Sequence, residues 1–359
     1  MTKADGLQSF QTGGDSRQRF VVNNPCANSD KGCVAITEAL RYPRNYERGT
    51  PPLLLPPSQT NVMKLYQNIL VGINYTDSSR HALWKANRIA LQSGAKVTAF
   101  HAVPPAELNE FVSFYMIEHK IMMRAAKTSL EGFVDEVLGN DNDITCQVGE
   151  GIPHHELVFH ANEGGFDLLV LGDDDYASDS RKAGQFAIKC LRFATMPVLL
   201  VNRPTETPDG LVLACVDFSK STHPVLENTA RVTHGHHNRV EIVHACRPPW
   251  LRPARLRYQT EVFENKEQKI QYRDIMDGQL AGISKTADPL FPGKVGTVRL
   301  EHEDPTTALL EHFDSSECEL VVIGRSGKGI KGILTDLMGG TAETIIRNAQ
   351  CPVLVVPIT

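Results

Sequence analysis

Four strand-like segments of this chain occur twice, in the same order and with matching flanks. Residues 69–73 (Ile-Leu-Val-Gly-Ile) correspond to 211–216 (Leu-Val-Leu-Ala-Cys-Val), and both runs end in a polar turn that feeds a helix-like stretch. Val97-Thr-Ala-Phe-His101-Ala102 corresponds to Val240-Glu-Ile-Val-His244-Ala245, and each reaches a Pro-Pro pair within a few residues. Leu168-Leu-Val-Leu-Gly172 corresponds to Leu320-Val-Val-Ile-Gly324, and Pro197-Val-Leu-Leu-Val201 to Pro352-Val-Leu-Val-Val356. Matched signatures in matched order mark an internal duplication, so whatever fold the first half adopts the second must adopt as well. The expected organisation is a leader, 1–62, a first repeat, 63–202, a linker, 203–207, and a second repeat, 208–359. Pro204 and Pro208 bracket the linker.

The first repeat shows the fold class. Apolar runs at 69–73, 96–103, 144–148, 168–171 and 198–201 read as strands. Several are continuous rather than alternating, as in parallel strands covered on both faces. Helical spacing fills 81–91, 115–138, 154–162 and 184–193. Strands alternating with helices predict an α/β fold, here two tandem doubly wound, Rossmann-like domains, each with a five-stranded parallel sheet. Met116, Met122 and Met123 on the long helix read as core filler. The leader is rich in Gly, Ser, Asn, Asp and Pro and carries a polyproline-like stretch at 51–57, so a largely disordered segment is expected. Met63, just before the first strong strand, is a second candidate for the start of translation.

Composition excludes several function classes. A net charge of -5 argues against a dedicated nucleic-acid binder. No apolar run approaches the ~20 residues that cross a bilayer, and the N-terminus lacks the layout of a secretory signal. A cytoplasmic protein is expected, with its eight scattered cysteines as reduced thiols.

The stretch with the most chemical content follows the strand at 320–323: Gly324-Arg-Ser-Gly327-Lys-Gly329-Ile-Lys-Gly332, then Gly339-Gly340-Thr341 and a helical pattern over 342–349. Glycines let backbone N–H groups approach an anion, and a helix N-terminus adds partial positive charge. Lys328 and Lys331 add full charges. The stretch reads either as a polyphosphate cradle or as a loose glycine-rich connection. Other candidates are weaker. His155 and His160 are five apart and diverge by roughly 140° around a helix, which does not suit one zinc ion. His234, His236 and His237 read as a solvated turn, and Arg247, Arg252, Arg255 and Arg257 around Trp250 as a solvated connection. Order alone gives no Ser-His-Asp or Cys-His constellation.

Both repeats, from about 63 to 359, resemble the universal stress protein family in its tandem two-domain bacterial form. The resemblance is carried by the opening strands, the His-Ala segments at His101 and His244, the terminal Cys351-Pro-Val-Leu-Val-Val and above all the loop from Gly324. Nucleotide-binding members of that family place two glycines three apart, then nine residues, then a glycine followed by Ser or Thr. Gly324 and Gly327 match the first pair; eleven residues then precede Gly339, Gly340 stands in the Ser/Thr place, and Thr341 comes one position late. The resemblance implies ATP, with or without magnesium, held at the phosphates by Gly324, Gly327, Gly329, Gly339, Gly340 and Thr341. Asp217 would lie at the nucleoside end. In the first repeat Asn74 takes the place of Asp217, and Asp173-Asp174-Asp175 follow Gly172, a run that repels a triphosphate. That site is expected to be closed to ATP, with a hard-cation site as the alternative. The implied role is protective or regulatory binding under stress, without turnover. A scaffold or sensor for another small ligand or a protein is the alternative. The final strands of the two repeats are open to edge pairing, either within one chain or between two copies in a homodimer.

Overall fold

The computed structural model describes residues 20–21, 63–105, 112–172, 185–203, 210–251, 265–291, 295–325 and 340–358. The first repeat runs β2 (Asn68–Gly72), α1 (Asp77–Ser93), β3 (Lys96–Val103), α2 (Val112–Leu138), β4 (Ile144–Glu150), α3 (Pro153–Glu163), β5 (Leu168–Gly172), α4 (Gln185–Phe193) and β6 (Val198–Val201). The second repeats it as β7 (Leu211–Cys215), α5 (Thr222–Val232), β8 (Arg239–Cys246), α6 (Lys266–Ala287), β9 (Val295–Glu301), α7 (Pro305–Ser316), β10 (Leu320–Gly324), α8 (Gly340–Asn348) and β11 (Val353–Val356). A 3-10 turn at Pro249–Leu251 lies between β8 and α6. The expected elements are present, with ends set by local chemistry. The Thr76 hydroxyl accepts from Ser79 N and starts α1 four residues before its apolar spacing does. Gly94, at φ 72°, ends that helix in the left-handed region. Pro153 and Pro305 open α3 and α7 at equivalent positions, where a missing N–H costs nothing.

Within each repeat the strands are parallel and lie in one spatial order, β4-β3-β2-β5-β6 and β9-β8-β7-β10-β11. The two sheets then join. β11 pairs antiparallel with β6, with Val353 opposite Leu200, Leu354 opposite Leu199 and Val355 opposite Val198. Edge pairing of the final strands is therefore made inside the chain. Phe20–Val21, labelled β1, adds a short antiparallel strand against Arg299 and Val298 of β9, which completes an 11-stranded sheet. The rest of the leader, and with it the expectation of disorder, lies outside the described residues, as does most of the linker.

Side chains alternate between the two faces along each strand, so two apolar layers form. One holds Ile69, Val71, Leu320 and Val322 under α1, α2, α5 and α6. The other holds Leu70, Leu169, Val321 and Val353 under α3, α4, α7 and α8. Both layers run through the β6–β11 seam without a break. Polar contacts fasten the repeats at that seam. Asn202 Nδ2 donates to the carbonyls of Ala349 (3.0 Å) and Cys351 (3.2 Å) beyond α8. Reciprocally, Arg325 Nη1 donates to Leu191 O and Ala194 O (both 2.6 Å) at the end of α4, where carbonyls lack intrahelical partners. The buried Tyr66 hydroxyl donates to Asn228 Oδ1 of α5 (2.9 Å), beneath the Arg231 guanidinium, 4.8 Å from the Tyr66 ring centre.

Helix α6 is attached differently. Few of its side chains are fully buried, Leu280 and Ala287 among them, and charges do much of the anchoring. Arg299 of β9, only 4% exposed, grips Asp277 through Nε (2.6 Å) and Nη2 (3.2 Å) and also contacts Glu301. Arg273 of α6 takes Glu301 with Nε (2.9 Å to Oε1) and Nη2 (2.7 Å to Oε2). The first repeat holds a simpler counterpart, with His119 of α2 against Glu150 at the end of β4. Trp250 packs edge-on to Tyr272 and lies 5.3 Å from the Arg273 guanidinium, so the described end of the arginine-rich connection is docked on α6. Arg252, Arg255 and Arg257 lie outside the described residues.

Candidate functional site

The strand order puts a switch point at β7/β10 and another at β2/β5, where successive crossovers leave the sheet in opposite directions. Crevices beyond the carboxyl ends of such strands receive ligands in open α/β sheets. At the second-repeat crevice, Asp217 lies two residues past β7. Its Oδ1 accepts from Ser219 N (3.0 Å) and Ser221 Oγ (2.9 Å), and the two serine hydroxyls are 2.8 Å apart. Phe218, between Asp217 and Ser219, takes φ 55°, a left-handed conformation that turns the chain sharply into α5. Among the described residues nothing donates to Oδ2 of Asp217. Gly324 closes the crevice from β10. A Cβ there would lie 2.8 Å from Ser221 Cβ and 3.1 Å from its Oγ, so the strand end can press against the Asp217 turn only without a side chain.

Gly340 and Thr341 form the first turn of α8. The hydroxyl of Thr306, at the start of α7, reaches Thr341 Oγ1 at 3.4 Å, so two helix N-termini lie side by side. Asp304 caps α7, accepting from the Thr307 hydroxyl (2.9 Å) and from Thr306 N (3.1 Å), and these bonds, the Thr307 hydroxyl's foremost, hold its carboxyl below the usual carboxylate range. No crowding requires a glycine at 340, since a Cβ there meets open space. Gly327, Gly329, Gly339, Lys328 and Lys331 lie outside the described residues. Of the predicted set, the structure draws Asp217 and Gly324 together through Ser221 and leaves Gly340 and Thr341 as a separate group beside α7.

Residues with no predicted role complete the site. His244 Nδ1 bonds the Val216 carbonyl at 2.8 Å, and since a carbonyl only accepts, Nδ1 carries the proton. Its ring packs against Phe218, centroids 4.0 Å apart. His101 bonds Ile73 O at the same 2.8 Å and packs against Tyr75, which also has a positive φ of 65°. Each histidine thus pins the last peptide before Asp217 or Asn74. Their shared His-Ala register in the sequence was the available signal.

The first-repeat crevice keeps this frame with other chemistry. Asn74 Oδ1 accepts from Thr76 N (3.3 Å) and Thr76 Oγ1 (2.6 Å). A cavity of about 390 Å³ opens beside it, lined by Phe100, Leu157, Leu171 and Phe186 together with Asn74 and His101. No Asp, Glu, Lys or Arg among the described residues lines it. The acidic run at Asp173, Asp174 and Asp175 lies outside the described residues. His160 stacks on Phe100 (4.7 Å) and bonds Gln147, whereas His155 packs against His154. His234 and His237 are exposed in the turn after α5, with His236 between them.

The model of the universal stress protein family matches the chain twice, over residues 65–202 and 211–357. A universal stress protein of Methanocaldococcus jannaschii is 40% identical over 63 residues, which covers 18% of this chain and 35% of that protein. Universal stress protein YxiE of Bacillus subtilis is 27% identical over 152 residues, 38% of this chain and all of that one. Among solved structures, a universal stress protein from Archaeoglobus fulgidus aligns over 82% of this chain and 98% of its own, with a TM-score of 0.53 and 17% identity. A functionally unknown protein from Pseudomonas aeruginosa aligns over 83% and 95%, with a TM-score of 0.54 and 15% identity. At such identities the structures bear on the fold alone.

Proposed function

The chain belongs to the universal stress protein family as a tandem pair, and from that premise we propose that its second repeat reversibly binds an adenine nucleotide, ATP with or without magnesium. The observation that carries the reading is the Asp217 carboxylate. One oxygen is fully used in holding its own turn, and the other has no donor among the described residues at the mouth of the crevice. Such an oxygen can accept from a ribose hydroxyl or the adenine amino group. Gly324 brings the β10 end alongside, and the N-terminus of α8 adds partial positive charge suited to phosphates. Gly327, Gly329, Gly339, Gly340 and Thr341 would complete the phosphate end. The role is that of a protective or regulatory binding protein, which stores or senses the nucleotide without turning it over. No helix among the described residues is long and apolar enough to cross a membrane.

Calorimetric titration of the full chain with ATP and magnesium tests this. Saturable binding is expected, and Asp217→Ala should weaken it by about tenfold, the worth of one hydrogen bond to a charged group. Absence of heat at millimolar ATP would remove the reading.

The first-repeat cavity favours a second reading. Its aromatic and aliphatic lining, with Asn74 and His101 as the polar groups, suits an uncharged, largely apolar small molecule and not a triphosphate. The neutral fluorophore N-phenyl-1-naphthylamine should brighten on mixing with the protein, and Phe186→Asp should abolish that signal. Equal brightening by the variant would exclude the cavity as the site.

A further inference from the structure

Cys318 and Cys351 stand just before β10 and β11, which are neighbouring parallel strands. Their sulfurs are 3.3 Å apart, and both residues are buried, 0% and 3% exposed. The first repeat places Phe166 and Met196 at the same two stations, both packed in the same apolar layer. Filling that space therefore requires no sulfur pair. The second repeat has two thiols side by side where the first has none.

The surroundings are not apolar throughout. Arg203 Nη2 donates to the Cys318 carbonyl (3.0 Å), which brings its guanidinium charge close to the pair. The hydrogen bond with Cys351, helped by Arg203, draws the Cys318 thiol below its ordinary value, whereas the same bond and burial push Cys351 up. Burial pushes up the other described cysteines, Cys146, Cys190, Cys215 and Cys246. One member of the pair is thus suited to act as the first nucleophile and the other to keep its proton until it attacks the oxidised sulfur.

We propose that Cys318 and Cys351 are a modification site, a dithiol that a peroxide converts into a reversible disulfide across the base of β10 and β11. The Cys318 thiolate attacks one peroxide oxygen, the O–O bond breaks, and the departing oxygen takes up the thiol proton and leaves as an alcohol or water. The resulting sulfenic sulfur is attacked by Cys351, the S–S bond forms, and hydroxide leaves as water with the Cys351 proton. Two electrons pass from the thiols to the peroxide. The two sulfurs, already in contact at 3.3 Å, have to close to the ~2.05 Å of a disulfide. The clip encloses β10, Gly324, Gly340, Thr341 and α8, and the inference holds whichever ligand the crevice takes.

The test treats the full chain with hydrogen peroxide and digests it with trypsin without reduction. Fragment 300–325, whose one cysteine is Cys318, should be recovered joined to fragment 348–359, whose one cysteine is Cys351. The oxidised protein should melt roughly 5 °C higher than the reduced one, and dithiothreitol should reverse the change. Cys215→Ser should leave the cross-link in place, and Cys351→Ser should remove it. Recovery of the two fragments unlinked, as thiols or as sulfinic acids, would overturn the proposal, as would Cys318 joined to Cys215. The linked peptide from the unaltered chain is decisive even if a variant fails to fold.

Discussion

Gly172→Ala is expected to destabilise the protein by about 3 kcal/mol, among the larger effects available to a single methyl group. The added carbon would lie 2.5 Å from Ser78 C, 2.6 Å from Ser79 N and 2.7 Å from Ser78 O. These are main-chain atoms at the start of α1, which cannot rotate aside, so the helix must leave the end of β5 or the strand must bend. The equivalent change, Gly324→Ala, meets the Ser221 side chain, 2.8 Å away at Cβ. That Cβ is carried by the backbone, so the Ser221 turn must shift to relieve the single close contact, and a smaller cost of about 2 kcal/mol is expected. Urea unfolding midpoints of the two variants measure the difference. Equal losses would mean that the two crevices are not packed as described.

Arg299→Met should cost about 3 kcal/mol, because it takes the nearly buried cation from Asp277 and leaves Glu301 to Arg273 alone. Arg273→Met removes a more exposed partner and should cost about 1 kcal/mol or less. The same unfolding midpoints read both. The double variant separates the two contributions, since Glu301 is shared and the single losses will not add. A loss at Arg299 no larger than at Arg273 would show that α6 is held by its apolar contacts instead.

The contrast between α6 and the strands explains what the chain reveals before folding. Parallel strands covered on both faces, such as Leu168–Gly172 and Leu320–Gly324, write continuous apolar runs. Pro153, Pro305 and Gly94 mark helix ends by steric necessity. Helix α6 writes almost no periodic stripe, because Arg273 and Asp277 do work that leucines do elsewhere, and its length is not legible. The β6–β11 seam is illegible for another reason: Val-Leu-Leu-Val and Val-Leu-Val-Val look the same whether they pair inside a chain or between two. At the candidate site, Asp217 and Gly324 stand out by residue type. Ser219 and Ser221 do not, since serines in a polar turn are common, and the left-handed Phe218 contradicts what an aromatic residue ordinarily suggests.

The antiparallel join of β6 to β11 has a consequence for how the molecule responds to its own abundance. Two separate copies would meet in proportion to their concentration and would be interchangeable. Covalent continuity replaces that equilibrium with permanent one-to-one company, as constant in a starved cell as in a rich one. Each half is then free to diverge, because a change in one is never averaged across identical neighbours. The apolar hollow at Asn74 and the carboxylate at Asp217 can therefore specialise independently and still share one continuous sheet.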